Sequence, residues 1–327
     1  GVLRVRTNTG YSYYNALQAE FRANNLFKQL TMKTTYTFSK NLDNVSEIFS
    51  TFGGGNTYAF SQNPLDFKKG EYSFSGLDYP HIWTVLFTEQ LPFFKEQHGI
   101  GRLLGGWSFS GNYIVASGQR YTPVQAFAAT AFATPGSTND YFDINYFATY
   151  NGGLEQARPF LGNPSAPANS VGIDALSGCN LFAITGSEPI CALAATSPTQ
   201  LVTINSLNQN INGTPVKVTK NDVRYIANTP AMETIMGTPF GNARRNIAQD
   251  AITNIGNFSV FKKIKLTERT AFEFHATMLN VFNHVNFTSI DPFIEDAGLA
   301  ASFTGFGDPS VTQSFGRTIT FGGKITF

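Results

Sequence analysis

Polar and apolar residues alternate along several stretches of this chain, with the period of two that marks a half-exposed β-strand. The clearest run is Leu30–Ser39. Leu30, Met32, Thr34, Tyr36 and Phe38 share one face, and Thr31, Lys33, Thr35, Thr37 and Ser39 share the other. Just before it, Leu17, Ala19, Phe21 and Ala23 oppose Ala16, Gln18, Glu20 and Arg22. Further on, Trp107, Phe109, Tyr113 and Val115 oppose Ser108, Ser110 and Asn112. Phe272, Phe274, Ala276 and Met278 oppose Glu273, His275 and Thr277. The last run sets Phe315, Ile319, Phe321, Ile325 and Phe327 against Thr318, Thr320, Lys324 and Thr326. Weaker strands are predicted over Val2–Asn8, His81–Leu91 and Thr253–Lys263, which makes about eight in all.

The connections sort by length. Asn24–Gln29, Pro92–Leu103 and Ile264–Glu268 are short, whereas Lys40–Pro80, Gly118–Ile252 and Phe282–Thr312 are long. Only Thr9–Tyr13 breaks the rule. Short turns on one side and long loops on the other describe an outer-membrane barrel with periplasmic turns. In hydrocarbon every backbone N–H and C=O must be bonded within the protein, so a spanning sheet has to close, with an apolar face to lipid. A lysine or arginine on that face near midplane costs about 2–4 kcal/mol. Glu20, Arg22, Lys33, Glu273 and Lys324 accordingly fall on polar faces. Glu89 and Arg317 break the pattern, both near strand ends, where headgroups and water reduce the cost. The last strand is predicted at roughly 13–15 residues, longer than the ~9–11 a bilayer requires.

Composition narrows the field. Of 327 residues, 23 are basic and 22 acidic, and charged residues make up 14%, against roughly 25% in an ordinary soluble domain. The balance lacks the basic excess of a nucleic-acid binder. Two cysteines build neither a disulfide-dense scaffold nor a thiolate zinc site. With 31 Phe and 13 Tyr, an ordered chain is expected rather than a disordered one. No 18-residue apolar run exists, so no transmembrane helix is expected. What stays open is a large soluble all-β protein or a membrane barrel whose alternation hides its hydrophobicity. The chain starts at Gly1 with no signal peptide after it, as expected of a processed chain or a piece of a longer one.

The terminus Thr320-Phe321-Gly322-Gly323-Lys324-Ile325-Thr326-Phe327 resembles the signal by which the barrel assembly machinery recognises outer-membrane barrels. Thr320, Gly322, Ile325 and Phe327 fit it, with Ile325 where an aromatic is common. Tyr14-Asn15-Ala16-Leu17-Gln18 resembles the YNALQ strand of Oar-like TonB-dependent receptors. Thr37–Asn44, Leu104–Gly111, Ser117–Pro123 and Asn280-Val281-Phe282-Asn283-His284-Val285-Asn286-Phe287 are similar to further segments of that family, in its order. Ile82 after His81 departs from the pattern, and Gly241–Arg245 fits a Gly/Arg-rich segment loosely. The resemblance implies an all-β fold: a portion of a transmembrane antiparallel barrel, its eight or so strands belonging to a 22-stranded whole. Residues 1–327 would be its C-terminal part, with plug and N-terminal domain outside this sequence. The polar-face residues are mostly small, which suits a wide lumen. An open eight-strand arc would expose two raw edges.

Residues 118–252 are expected to form a large extracellular loop insertion, rich in Ala, Pro, Gly, Asn, Ser and Thr. Cys179 and Cys191 lie twelve apart and, at a disulfide-permissive cell surface, are expected to pair. Leu201–Asn205 and Val216–Thr219 read as a short hairpin around Asn212-Gly213. Tyr141, Phe142, Tyr146, Phe147 and Tyr150 cluster in the same loop, as candidate ligand-stacking aromatics or as packing and interface residues.

Enzymatic motifs are missing. There is no G-x-S-x-G, P-loop or dinucleotide fingerprint, and His81, His98, His275 and His284 lack metal-ligand spacing. Asp291 and Glu295 could lend oxygens to a calcium site, but nothing sets their spacing. No catalysis and no cofactor are expected. The family resemblance implies energy-coupled uptake of a scarce solute across the bacterial outer membrane. Its partners would be lipid, the barrel assembly machinery and, through the missing plug, a TonB complex. The alternatives are a surface adhesion or signalling barrel without transport, and a secreted β-protein.

Overall fold

The computed structural model describes residues 7–26, 29–46, 61–63, 66–94, 97, 99–125, 158–182, 189–208, 214–298, 305–312 and 316–327. Seven long strands form its wall: β1 (Ser12–Leu26), β2 (Leu30–Asp43), β3 (His81–Gln90), β4 (Trp107–Ala116), β5 (Thr253–Lys265), β6 (Ala271–Leu279) and β7 (Thr318–Thr326). Each pairs antiparallel with the next in chain order, a simple meander. Among the described residues the sheet is open: β1 pairs with β2 alone and β7 with β6 alone. Most of the eighth predicted strand, Val2–Asn8, lies outside the described residues. The last strand differs from expectation. Its described length is nine residues, because pairing with β6 ends at Leu279↔Thr318 and Asn280 then turns the chain in the left-handed region (φ 49°).

Register confirms the faces. Phe21↔Thr34↔Val85↔Tyr113 and Met32↔Phe87 run across one side, and Glu20↔Thr35↔Thr84 and Thr88↔Ser110↔Ser259↔Thr277 run across the other. Among the described residues no second sheet covers the apolar side. Leu17 is 67% exposed, Tyr36 39% and Phe321 68%. Of the buried apolar residues, Ala276 alone belongs to a wall strand. A secreted sandwich would need these side chains in a dry core, so the sheet is not half of one. Aromatics instead pack on one another within the face: Trp83 and Tyr113 in a T shape, Phe109 stacked on Phe258 and Phe274 stacked on Phe321.

The apolar core lies in the long connection between β4 and β5. That connection leaves the wall as a two-stranded stem, Arg120–Tyr121 against Ala248–Gln249. Above it stands a mixed five-stranded sheet in the order Lys217–Val218, Leu201–Thr203, Val171–Asp174, Tyr225–Ile226, Phe160–Leu161. Val171, Ile173, Val202 and Tyr225 pack on one face, joined by Ile190, Ile204 and Leu207 from helices. Ile290, Ile294 and Phe306 from the β6–β7 connection complete that core. Phe160, Leu201, Val223, Ile226 and Met232 pack on the other face. The segment is thus a small folded domain with helices of its own, not a plain loop. Leu201–Thr203 pairs with Lys217–Val218 as predicted, but Ile204–Asn208 turns helical and Asn212-Gly213 lies outside the described residues.

Candidate functional site

The polar side of the wall is its candidate working surface. Thr31, Lys33, Thr88, Ser110, Asn112 and Asn257 line a shallow concavity of about 390 Å³ across β2–β5. Hydroxyls satisfy one another across the strands: Thr35 bonds Thr84, and Ser259 donates to Thr277 at 3.2 Å. The cations are paired too, Lys33 lying 3.1 Å from Glu20, which also bonds Arg22. Lys324 lies opposite Glu273. This is a charge-neutralised surface that sets hydroxyls and amides beside Leu86 and Phe87.

Buried charge concentrates where the folded domain meets the wall. Asp43 ends β2, and Arg245 lies on the returning limb of the β4–β5 connection. Arg245 donates through Nη2 to Asp43 Oδ1 at 2.7 Å and to the Asp43 carbonyl at 3.1 Å. Its Nε lies 3.5 Å from Glu71 Oε2, and Nη1 reaches Ser46 Oγ at 3.3 Å. Glu71 also pairs with Arg158 and accepts from the Gln62 amide at 2.9 Å. All four charged side chains are buried. Gln62 Nε2 donates to the Gly241 carbonyl at 2.7 Å, and Arg120 meets Asp78 at 3.0 Å. Gly241 has to be glycine, since a Cβ there would sit 1.9 Å from the Arg158 carbonyl. The cluster couples the β2–β3 connection to both limbs of the β4–β5 connection. Such pairs specify a geometry more than they add stability.

A second polar knot ends β6. Asn280 takes the His284 amide on Oδ1 at 3.0 Å and donates to the His284 carbonyl at 2.9 Å. Asn286 does the same for β5, accepting from the Asn254 amide at 2.6 Å and donating to its carbonyl at 3.0 Å. An amide side chain thereby replaces a missing neighbouring strand. The His284 ring joins the knot through Nδ1, 3.3 Å from Asn286 Oδ1.

Two carboxyls of the long connections are pushed furthest above their ordinary range. Burial pushes Glu233 up to about 7. Burial first, then the neighbouring Asp291 carboxyl, pushes Asp296 up to about 7. No group of three or more possible metal ligands occurs among the described residues.

The remaining sequence candidates separate. Tyr141, Phe142, Tyr146, Phe147 and Tyr150 lie outside the described residues. Cys179 and Cys191 are joined by a disulfide that staples helix Ala175–Phe182 to helix Pro189–Thr196 beside the first core. Thr320 and Gly322 lie on the polar face of β7, Ile325 on the apolar face, and Phe327 beyond its end, 94% exposed. A Cβ on Gly322 would strike the His275 ring at 2.3 Å. The buried cluster and the asparagine knot were missed at the sequence level. Arg245 sits in the Gly/Arg-rich stretch, which was the only hint.

An open antiparallel wall, apolar outside, hydroxyl-lined inside and loaded on one edge with long folded connections, defines a membrane β-barrel protein. The family model described as outer membrane beta barrel domain matches residues 1–320, and the chain belongs to that family. Its place is the bacterial outer membrane. A search of curated proteins found no match.

Proposed function

We propose that this chain forms part of the wall and outer face of a TonB-dependent transporter of the Oar-like type, importing a scarce solute. In this reading further strands complete the barrel to about 22. A plug outside this chain fills the lumen, and a TonB complex displaces it at the expense of the proton gradient. The observation that carries the reading is the open wall, whose two outer strands each lack one neighbour among the described residues. The small hydroxyls of its polar face and the ordered family-like segments support it. The folded outer domain, pinned by buried ion pairs, would present the capture surface. The barrel assembly machinery and outer-membrane lipid are the other partners, and the chain catalyses no reaction.

The test is solute depletion from spent medium. Cells with the intact gene should remove at least one solute that deletion cells and uncoupler-treated cells leave behind. If deletion alters attachment to surfaces while depletion is unchanged, the adhesion reading replaces transport.

A further inference from the structure

The connection between β3 and β4 is the longest on the short-turn side, and it does not hang free. Its helical turn Gly101–Leu104 lies on the lipid-facing side of the wall. Two lipid-face side chains grip it. Trp107 Nε1 donates to the Leu103 carbonyl at 3.0 Å. Lys262, which shares that face with Trp107, Val260 and Phe274, donates to the same carbonyl at 2.8 Å and to the Gly105 carbonyl. Its ammonium also stands 4.9 Å from the centre of the Trp107 ring. Gln97 fastens the other limb, donating to the Lys263 carbonyl and accepting from the Lys265 amide, each at 2.8 Å. Gly106 (φ 74°) permits the approach, since a Cβ there would sit 2.2 Å from the Lys263 carbonyl.

The turn therefore serves a purpose in lipid. A lysine on the apolar face is costly unless its charge is covered, and three carbonyl and aromatic partners cover this one. The outward side of the turn is apolar: Ile100 is 71% exposed and Leu103 68%, with Phe93, Phe94 and Leu104 also exposed. Arg102 is exposed among them. These residues continue the wall's lipid-facing belt at its short-turn rim, the periplasmic one.

We infer that residues 91–94, 97 and 99–106 form an interfacial anchor, an apolar collar seated at the headgroup–acyl boundary of the periplasmic leaflet, with Arg102 directed to lipid phosphate. The occupant is phospholipid, because the collar is continuous with the membrane-facing wall and carries a cation at headgroup level. The inference rests on the outer-membrane placement of the chain.

The experiment uses the full-length protein reconstituted in phosphatidylethanolamine–phosphatidylglycerol vesicles, with an environment-sensitive fluorophore on Leu103→Cys or, as a second site, Ile100→Cys. Lipids carrying a nitroxide on the headgroup or midway along the acyl chain act as quenchers. A fluorophore on Phe321→Cys reports the wall. The expected result is strong quenching of the 100 and 103 probes by the headgroup nitroxide and of the 321 probe by the mid-chain nitroxide. If the 321 probe is quenched while both turn probes emit as in water, the anchor is refuted and the membrane placement stands. If none is quenched, both fall.

Discussion

Replacing Arg245 with methionine removes the one cation that, among the described residues, holds Asp43 where the folded outer domain meets the wall. The guanidinium is almost fully buried and touches Asp43, Ser46 and Glu71. Without it the four-charge cluster carries a net negative charge in a site closed to water. Glu71 keeps Arg158, Ser61 and the Gln62 amide. Asp43 keeps only the Ser46 hydroxyl, at 3.2 Å, as a side-chain donor among the described residues. Removing one partner of a buried pair costs about 3–5 kcal/mol, because the other charge stays buried.

Hydrogen exchange reads that cost locally, where whole-barrel unfolding would hide it. The amides to follow are Gln62, bonded to Glu71, and Asn246, bonded to Thr122 Oγ1 at 2.9 Å. Their protection should fall by about 150- to 5,000-fold, at one decade per ~1.36 kcal/mol. The double variant Arg245→Met/Asp43→Asn discards both charges and should recover to within about tenfold of the parent. A single variant protected within about threefold of the parent, or a double variant as open as the single, would refute the argument that orphaned charge sets the cost.

Other consequences are more local. Joining Cys179 and Cys191 closes a loop of sequence separation 12, which stabilises the outer domain by about 3 kcal/mol in the loop-closure account. Mass analysis of the unreduced peptide should show no alkylatable thiol, and two would sink the pairing. Glu233 has a folded pKa of about 7 against an ordinary 4.5, and one of its carboxylate oxygens is buried without a partner among the described residues. The folded domain thus retains a proton that the unfolded chain releases, so a destabilising penalty grows between those two values and is full above the higher one. Glu233→Gln should raise the domain's stability by about 1 kcal/mol at alkaline pH, a figure discounted for partial solvation, and leave it unchanged below the lower pKa. An equal effect at both ends of the range would contradict this. On β4, Tyr113→Lys, opposite Val85 near mid-strand, should cost about 2–4 kcal/mol and Asn112→Lys close to nothing, read as the folded fraction on a heat-modifiability gel in vesicles. Equal losses from these adjacent residues would mean that the two faces do not differ in solvent.

The wall was legible because alternation and lipid exposure obey the same period. Leu30–Ser39 and Phe272–Asn280 carry their register on their surface, and β2 and β6 pair in that register. Thr253–Lys263 read weakly because Asn254, Gly256 and Asn257 dilute its pattern. Its face was assigned only by pairing with β4, which is why Lys262 escaped notice as a charge on the lipid side. The outer domain was nearly illegible for a different reason. Its strands are two to four residues long, too short for any period to show. Its core draws on Ile290, Ile294 and Phe306, more than a hundred positions beyond Val171. No local pattern reports a partnership over that separation.

The two parts of the chain therefore face different solvents, and this difference accounts for where each kind of residue is found. The wall buries almost no side chain against protein, so its order comes from the backbone ladder and from lipid, and a strand there is free to be all surface. The outer domain stands in water and must build its own interior, with Phe160, Ile173, Ile204 and Ile294 fully enclosed. Charge follows the same division. On the wall it is kept on the polar face, covered as at Lys262, or set near a strand end as at Glu89. At the joint between the parts neither lipid nor bulk water is present, and there a cation such as Arg245 is held by paired carboxylates and carbonyls. Changing a single charge at that joint should therefore unseat the outer domain and leave the barrel wall intact.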